Sequence, residues 1–481
     1  MISSTLLSEI GGCVAGRWVR ARQGQGIEVI NPATGEVLAD VPDMGAAETT
    51  AAIDASAASL EHDHPPEQRR QWLSRLHELM MLHQRELARI ITLEQGKPLK
   101  ESLVEVEYSA GFFRFFSEQL AHLNSEQLPQ KIRNLKWTLH HRPAGVVGLI
   151  TPWNFPLAML TKKLAPALAA GCAVVAKPSE LTPLSAIALW KLAEEAGVPA
   201  GRMNLVIGRP EPIGDTLCAH LAVRLISFTG STPVGKHLIA RTAPHVKRLA
   251  LELGGNAPYI VFSDADITVA AAALMANKFR CAGQTCVCAN RVYVQRSVVE
   301  SFLFAISERV RRLRLGNGVD EATDIGPLIN RSAFDKVARH VKDALSRGAR
   351  RIVGADRERP ANDFAAFYDP TVLADTNSEM LLSREETFGP VVAVGAFDSD
   401  DEAIQLANGT PFGLAAYVFT DDPARAQRVV SRLRFGHVGI NTGMGPTPEA
   451  PFGGMKQSGF GREGGVEGLL EFCETQTVAS P

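Results

Sequence analysis

The sequence predicts an α/β protein built on a parallel β-sheet with helices on both faces. After about residue 143, short β-branched apolar runs appear, among them AGVVGLI, AVVAK, NLVI and LISF. Helical stretches such as LAMLTKKLAPALAA and SAIALWKLAEEAG lie between them. Strands that alternate with helices form right-handed β-α-β units, and ligands bind at the carboxyl ends of the strands in such sheets. Candidate site residues are therefore expected just after these runs.

The segments around this block carry their own local signals. Residues 31–42, NPATGEVLADVP, have turn signals in Asn-Pro and Thr-Gly and predict a hairpin. Apolar residues at helical spacing across 65–95 predict one amphipathic helix, which Gly96 ends. A second α/β block is predicted after Gly255, with the runs APYIVF, RVYVQ, VVAVGAF and AAYVFT. Residues 131–143 predict a strand pair, and the tail EFCETQTVA is prone to form a strand.

Length, charge and cysteine content restrict the class of protein. A chain of 481 residues is long enough for two or three domains. Lys and Arg total 50 against 52 Asp and Glu, which argues against a general nucleic-acid or anionic-membrane surface. No secretory signal is recognised at the start, and no apolar window reaches the roughly 20 residues that cross a bilayer. Seven cysteines without the spacing of a disulfide framework favour a reducing cytoplasm.

Three of these cysteines lie close together in KFRCAGQTCVCANR, residues 278–291. The spacing of Cys281, Cys286 and Cys288 lacks the paired knuckles of a structural zinc site, so no metal is expected. Burial in a core is the ordinary alternative for a cysteine. Arg280 and the loose backbone of Gly283 instead suit a nucleophile, which needs thiolate character and a group to take its proton.

Two polar residues elsewhere could complete such a site. Glu252 stands in the apolar run LALELGG, where desolvation raises a carboxyl pKa and suits it to act as a general base. The alternative is half of a core salt bridge. Asn154 follows the GVVGLI run in TPWNFP, before a helix whose first turn is expected to contain Pro156. Its amide could donate to an oxyanion, or its side chain could cap that helix.

The segments SFTGSTPVGKHL and VVAKPSE suggest a nucleotide cofactor. In the first, a run ends at Phe228 and Gly230 precedes a helix, which is the setting for a pyrophosphate at a helix N-terminus. In the second, Lys177 and Glu180 follow a strand end, where they could bind a ribose. A carboxylate there repels a 2′-phosphate, so Glu180 favours NAD over NADP.

Taken together, TPWNFP, KPSE, FTGST, LELGG, GQTC and EETFGP resemble the NAD(P)-dependent aldehyde dehydrogenase superfamily, in order and from about residue 16 to the end. The resemblance implies that Cys286 attacks an aldehyde to form a thiohemiacetal, with Asn154 and the Cys286 N–H as the oxyanion hole. Hydride then passes to the nicotinamide and leaves a thioester, and Glu252 activates the water that hydrolyses it. Transfer to coenzyme A is the alternative, but relatives of that kind commonly lack the base glutamate.

The resemblance also implies a cofactor, with NAD expected and NADP as the alternative. The residues matched to cofactor contacts are Trp153, Lys177, Ser179, Glu180, Gly230, Ser231, Glu386 and Phe388.

The implied architecture is a Rossmann-like cofactor domain, an α/β catalytic domain and a small β oligomerisation element. The expected bounds are 1–123 with 143–254 for the cofactor domain, 255–454 for the catalytic domain, and 124–142 with 455–481 for the third element. The third element implies a homodimer or homotetramer.

Within the superfamily, GQTCVCANR is most similar to the succinate-semialdehyde dehydrogenase branch. There Cys288 would form a reversible disulfide with the nucleophile, and Arg280 would bind the substrate carboxylate, an anion that the guanidinium fork fits. A structural salt bridge is the alternative for Arg280. Lys162 stands where the branch has a second arginine. Thr447 belongs to the active-site loop, where the branch has a serine.

These two departures leave the length and substituents of the aldehyde open. Succinate semialdehyde is the first expectation. Glutarate semialdehyde, a hydroxylated or sulfonated short aldehyde, and general aldehyde oxidation are the alternatives. Cys281 stands where the branch usually has asparagine, and the sequence suggests no role for it.

Overall fold

A computed structural model describes residues 4–21, 24, 26–129, 134–357, 361 and 363–481. Its strands, numbered along the chain, are β1 Gly12–Val14, β2 Arg17–Val19, β3 Gly26–Ile30, β4 Val37–Pro42, β5 Glu126–Gln127, β6 Lys136–Pro143, β7 Val146–Ile150, β8 Ala173–Lys177, β9 Met203–Leu205, β10 Val223–Thr229, β11 Arg248–Glu252, β12 Ala257–Val261, β13 Ala289–Gln295, β14 Arg350–Val353, β15 Thr371–Ala374, β16 Val391–Phe397, β17 Ala415–Phe419, β18 His437–Ile440, β19 Gly459–Phe460 and β20 Cys473–Ser480.

The α-helices of the described chain lie between and around these strands. They are α1 Ala46–Ser59, α2 Pro66–Leu82, α3 Gln84–Gln95, α4 Leu99–Glu118, α5 Ala158–Ala170, α6 Leu184–Glu195, α7 Pro210–Ala219, α8 Thr232–Thr242, α9 Ile267–Lys278, α10 Val299–Val310, α11 Arg331–Ser346, α12 Leu381–Arg384, α13 Asp400–Asn408, α14 Pro423–Val430 and α15 Gly465–Leu470.

The first large sheet has the strand order β19-β11-β10-β7-β8-β9-β1-β2 within the described residues. Its centre, from β11 to β9, is parallel. The chain passes from β7 outward to β9 and then returns to the other side of β7 at β10. The junction of β7 and β10 is therefore the topological switch point, at whose carboxyl end open α/β sheets bind ligands.

Helices cover both faces of this sheet, as the sequence predicts. Successive side chains of a strand point to opposite faces. Val174 of β8 accordingly packs into the core built on helices α2 to α6, and Val175 packs into the core built on α1, α7 and α8. The four apolar runs that predict this block correspond to β7, β8, β9 and β10, so the prediction of a doubly covered parallel sheet is confirmed.

The second large sheet has the order β14-β15-β16-β13-β12-β17-β18 in the described chain and is parallel except at β14. It begins at Ala257, just after the two glycines that end the first block. Helices α9, α10 and α11 cover one face, and α13 and α14 cover the other. The second α/β block is thereby confirmed.

Two smaller sheets complete the fold. Strands β3 and β4 form the predicted antiparallel hairpin, and β20 pairs with β6 over its whole length, which confirms the strand-prone tail. The prediction of a strand pair within 131–143 is wrong where it can be assessed. Residues 131–133 lie outside the described residues, and the rest contributes the single strand β6, whose partners are β5 and β20.

The single helix predicted for 65–95 is also divided in the structure. His83 leaves the helical conformation at φ −98° and ψ 19° and separates α2 from α3. Apolar spacing continues across the break because both helices pack against the same core, so the pattern could not reveal it. Gly96 ends α3 in the left-handed conformation, as predicted.

Candidate active site

The candidate residues gather where the two large sheets face each other. From the first sheet, Asn154 follows β7, Lys177 ends β8 and Glu252 ends β11, all at carboxyl ends. The second sheet contributes Cys286 and Glu386, which precede β13 and β16. The expectation that candidate residues follow the strands of the first block therefore holds. The second sheet instead presents its amino-terminal edge.

Cys286 is the partly exposed cysteine of the seven, and the other six are buried. The turn before it is tightly wound, since Cys281, Ala282 and Gly283 all have positive φ values, of 52°, 53° and 73°. The nucleophile's backbone also packs closely against Gly255, because a Cβ there would lie 2.5 Å from the Cys286 carbonyl oxygen. Only glycine allows this approach.

The Cys286 thiol is protonated at rest. Burial of the sulfur raises its pKa to about 12, and the nearby positive charge of Lys162 offsets this only in part. Because the thiolate is the nucleophile, the site needs a group that takes up the proton.

Asn154 is buried, and its side chain is aimed at the nucleophile loop. Nδ2 donates to the Gln284 carbonyl at 2.9 Å, while Oδ1 has no hydrogen-bond partner among the described residues. An amide nitrogen has two N–H groups, so one remains for a substrate oxygen. The helix-cap alternative is wrong, because α5 begins at Ala158 and Pro156 precedes it.

Glu252 is a buried carboxylate without a hydrogen bond to either oxygen in the described structure. Burial, with a smaller contribution from the charge of Glu463, raises its pKa to about 8; Lys162 and Lys163 act in the opposite direction. The salt-bridge alternative fails, because no cation of the described chain lies within ion-pair distance of it. An unpartnered carboxylate that titrates near neutral pH suits a general base.

A second buried carboxylate, Glu463, lies near the first and is fully paired. Lys162 contacts its Oε2 and Lys163 its Oε1, both at ion-pair distance. Although burial opposes ionisation, these two lysines hold the pKa of Glu463 below its usual range. Sequence reasoning missed Glu463, because its partners lie about 300 residues away and no local pattern marks it.

The charge of Lys162 is therefore committed to a protein carboxylate. Its ammonium also lies 5.3 Å from the centroid of the Phe452 ring. Tyr108 is within electrostatic range of Lys162, Arg280 and Cys286, which places the lysine beside the reaction centre.

The residues expected to bind the cofactor line the carboxyl edge of the first sheet. Lys177 donates to Glu180 at 2.7 Å, and the hydroxyl of Ser179 accepts from the Leu181 amide at 3.3 Å. Gly230 donates its N–H to the Glu252 carbonyl at 3.0 Å. Ser231 is exposed at the N-terminus of α8, and its hydroxyl does not cap the helix.

The other two expected contacts come from the second sheet. Glu386 accepts the Gly255 amide at 3.1 Å, and burial raises its pKa to about 7 despite that hydrogen bond. Phe388 meets Trp153 edge to face, with ring centroids 5.7 Å apart.

This donor set fits a nicotinamide dinucleotide. The uncapped N–H groups of α8 and the ammonium of Lys177 suit phosphates and ribose, and Glu180 suits ribose hydroxyl groups. Gly230 is covered closely by the Phe228 ring, 2.3 Å from where a Cβ would stand. A side chain at position 230 would therefore collide with this ring, and the backbone at the start of α8 stays uncovered by a side chain of its own.

Arg280 is a cation without a protein partner in the described chain. None of the ion pairs or hydrogen bonds found there involves it, and its Nε is buried and unpaired. The salt-bridge alternative is therefore wrong for the described structure. Its guanidinium lies 5.2 Å from the centroid of the Phe155 ring. Tyr417 is within electrostatic range of both Arg280 and Cys286, so the cation lies in the same neighbourhood as the Cys286 thiol.

The two other cysteines of the motif are buried with partners. Cys288 Sγ donates to the Gly283 carbonyl at 3.3 Å, and Lys278 Nζ lies 3.6 Å from that sulfur. Cys281 Sγ accepts from Gln95 and donates to the Asn154 carbonyl. No group of three metal-binding side chains occurs in the described ranges.

Thr447 stands apart from this cluster. Its side chain is exposed on the loop after β18, and no hydrogen bond among the described residues joins it to Arg280 or Cys286. The neighbouring Pro446 carbonyl accepts from the Tyr108 hydroxyl at 3.3 Å, which connects the loop to the pocket.

Comparison with known proteins agrees with this geometry. Residues 18–478 match the model of the aldehyde dehydrogenase family. The chain is 49% identical to a mitochondrial succinate-semialdehyde dehydrogenase of Oryza sativa subsp. japonica, over 97% of this chain and 88% of that protein. It is 46% identical to a 3-sulfolactaldehyde dehydrogenase of Pseudomonas putida, over 97% and 96% of the two chains. It is also 46% identical to an NADP(+)-dependent succinate-semialdehyde dehydrogenase of Escherichia coli, over 96% and 95%.

Among solved structures, the fold is similar to an oxidoreductase from Marinobacter aquaeolei, with a TM-score of 0.98 and 50% identity over the full length of both chains. A succinate-semialdehyde dehydrogenase from Burkholderia pseudomallei gives a TM-score of 0.97 at 43% identity, over 99% of each chain.

Proposed function

This chain belongs to the aldehyde dehydrogenase family, and on that premise we propose that it oxidises a short acidic aldehyde, with succinate semialdehyde as the first candidate. It is an oxidoreductase that acts on aldehydes with NAD(P) as the cofactor. The assignment of roles to residues rests on the geometry of the site.

The first step assigned is attack by Cys286 Sγ on the aldehyde carbon to give a thiohemiacetal, while the thiol proton passes to the Glu252 carboxylate, which releases it to solvent before the last step. Negative charge then develops on the aldehyde oxygen. Asn154 Nδ2 and the backbone N–H of Cys286 are the donors for it, and one such donor contributes about 3–4 kcal/mol where it has been measured. The ammonium of Lys162 favours the thiolate form of the nucleophile.

Bound NAD(P) would accept the hydride that the aldehyde carbon loses. The residues assigned to hold it are Lys177, Glu180 and the N-terminus of α8 for the ribose and phosphates. Glu386 and Phe388 are assigned to the nicotinamide-ribose side, and Trp153 is a further contact.

The last step assigned is hydrolysis of the thioester on Cys286. Glu252 takes the proton of the attacking water on a carboxylate oxygen that has no other partner in the described chain. The presence of this base favours water over coenzyme A as the acceptor.

The unpaired guanidinium of Arg280 is the observation that carries the substrate class. Arg280 is partly buried and its Nε is fully buried, and a cation in such a setting without a hydrogen-bonded anion is unfavourable unless a ligand supplies one. Relatives that act on succinate semialdehyde and on 3-sulfolactaldehyde both take acidic aldehydes. Glutarate semialdehyde and a sulfonated aldehyde remain alternatives, because the geometry of Arg280 suits a carboxylate and a sulfonate alike.

Glu180 supports a preference for NAD over NADP. Its carboxylate follows the carboxyl end of β8, the edge proposed for the ribose, and a 2′-phosphate bound beside it would be repelled. One relative is named for its use of NADP, so the proposal concerns the ratio of kcat/KM with NAD to kcat/KM with NADP.

The domain bounds given above, and a homodimer or homotetramer, are part of the same proposal. Strand β20 supports the oligomer, because six of its eight residues are exposed, including the apolar Val478. A reducing cytoplasmic location is supported by the seven unpaired cysteines. No helix in the described ranges has the length and hydropathy needed to span a membrane.

The test compares kcat/KM for succinate semialdehyde with that for butanal, its neutral near-isostere, using NAD and then NADP. We expect a preference of about 100-fold, equivalent to about 2.7 kcal/mol of transition-state binding. Equal values would identify a general aldehyde dehydrogenase. Cys286→Ala should abolish oxidation, whereas Cys218→Ala, at a buried thiol on α7, should not. Activity in the first variant would overturn the mechanism.

A further inference from the structure

We propose that the buried ion pair of Lys97 and Glu105 positions the oxyanion hole by fixing the loop that carries Asn154. Neither side chain is exposed, and the Lys97 Nζ to Glu105 Oε2 distance is 2.5 Å. Both are positioning residues, since they contact Asn154 and its loop from within the protein. The inference rests on the role proposed for Asn154.

The ammonium of Lys97 has three partners, and two of them belong to the Asn154 loop. Beyond Glu105, it donates to the Asn154 carbonyl at 2.7 Å and lies 3.7 Å from the centroid of the Phe155 ring. Each of the three ammonium hydrogens therefore has an interaction partner. A charged donor in a buried setting holds such an acceptor strongly.

Glu105 fixes the other end of the same loop. Its second oxygen accepts the amides of Leu157 and Ala158, at 3.0 and 3.3 Å. These are free N–H groups at the start of α5, where a carboxylate is favoured by the helix dipole. One carboxylate therefore joins the start of α5 to the lysine that holds Asn154.

Lys97 is itself directed inward by its neighbours. Gly96 is left-handed at φ 96°, and a Cβ there would meet Pro32 and Pro327 at 2.9 Å, so only glycine allows the chain to turn. The backbone N–H of Lys97 is then held by Gln95 Oε1 at 3.0 Å.

The same helix also holds the turn before the nucleophile. Glu101, one turn before Glu105 on α4, accepts the Cys281 amide at 2.7 Å. Cys281 Sγ in turn donates to the Asn154 carbonyl at 3.5 Å. Side chains of α4 thereby fix the positions of both parts of the proposed oxyanion hole, Asn154 and the Cys286 loop.

Positioning matters here because a displacement of about 1 Å in a catalytic group can cost about 100-fold in rate. The side chain of Asn154 makes one hydrogen bond among the described residues, to the Gln284 carbonyl. One hydrogen bond does not by itself fix how far the Asn154 loop lies from the Cys286 loop. The ion pair supplies the missing constraint from the opposite side.

The test is a double-mutant cycle between the ion pair and Asn154. The pair is replaced together, as Lys97→Met with Glu105→Gln, so that no buried charge is left alone. The replacement is made in the wild type and in Asn154→Ala. Two rates are measured: kcat for aldehyde oxidation, and cofactor-independent hydrolysis of p-nitrophenyl acetate, which needs the nucleophile, the oxyanion hole and the base but no hydride transfer.

We expect both rates to fall about 10- to 100-fold in the wild-type background, with KM changed less than about threefold. In the Asn154→Ala background the same replacement should cost less than about threefold, since the group being positioned is gone. Lys100→Met, at an exposed lysine of the same helix that pairs with Asp324, should leave both rates within about twofold.

Equal losses in both backgrounds would overturn the inference, because a general structural defect is additive. An unchanged rate in the pair variant would do the same. Asn154→Ala with wild-type rates would overturn the proposed role of Asn154, and the inference with it. If circular dichroism shows the pair variant unfolded, Glu105→Gln alone enters the same cycle under the same criterion. It keeps the oxygen that accepts from α5.

Discussion

Replacing Arg280 with methionine should convert an enzyme selective for acidic aldehydes into one that does not distinguish them from neutral ones. Methionine keeps much of the side-chain volume over Phe155 and removes the charge. Arg280 has no ion pair among the described residues, and a nearby carboxylate that its charge stabilises, Glu101, keeps the charges of Lys97 and Lys100 and the Cys281 amide when Arg280 is lost. The effect should therefore be confined to substrates that carry an anion.

The magnitude follows from the interaction lost. A hydrogen bond to a charged group contributes about 1.5–3 kcal/mol, and each 1.36 kcal/mol changes a rate tenfold. We expect kcat/KM for succinate semialdehyde to fall by about 13- to 160-fold, and that for butanal to change less than about twofold. Arg280→Lys should be intermediate, since it keeps the charge and loses the fork.

The assay is steady-state formation of the reduced cofactor with each aldehyde at saturating NAD. A matched control is Arg339→Met, at an exposed arginine on α11. The reasoning would be refuted if both aldehydes lost activity equally, because Arg280 would then support the fold or the reaction itself. An unchanged preference for succinate semialdehyde would show that another cation binds the carboxylate.

Three further outcomes follow from the site. With a pKa of about 8, Glu252 is protonated at lower pH, so turnover should rise from about pH 7 to 9; Glu252→Gln should remove this rise and slow both the burst of reduced cofactor and the hydrolysis that follows it. Glu180→Ser should raise kcat/KM with NADP relative to NAD by about tenfold, equivalent to ~1.4 kcal/mol of relieved repulsion, and an unchanged ratio would contradict the assignment. Cys288→Ser should abolish inactivation by peroxide that dithiothreitol reverses; reversible inactivation of this variant would exclude a disulfide between Cys286 and Cys288.

Local patterns were enough to predict the two large sheets and the candidate residues that follow the strands of the first. The apolar runs locate β7, β8 and β10, and the polar residues after them lie where open α/β sheets bind ligands. The position of Cys286 before β13 was not predictable in this way, because a sequence does not show which edge of a second sheet faces the first. The motif identified the residue, and the structure placed it.

Contacts between distant segments were the part that the sequence could not reveal. Lys97 reaches Asn154 across 57 residues, and Lys163 reaches Glu463 across 300. Each of these residues is of a polar or charged type that, judged alone, would be expected at the solvated surface. They are buried by contacts between segments that are distant along the chain, which periodicity does not report.

The two buried carboxylates of the site show how a change of partners separates two roles. Glu463 is held ionised by two lysines, and Glu252 has neither hydrogen bond nor ion pair in the described chain. Their pKa values are therefore displaced in opposite directions, the pattern expected when one acid is a fixed charge and the other exchanges protons. Lys162 contributes to this difference between the two pKa values. It balances Glu463 and keeps a positive charge near Cys286, so recognition of the substrate anion falls to Arg280.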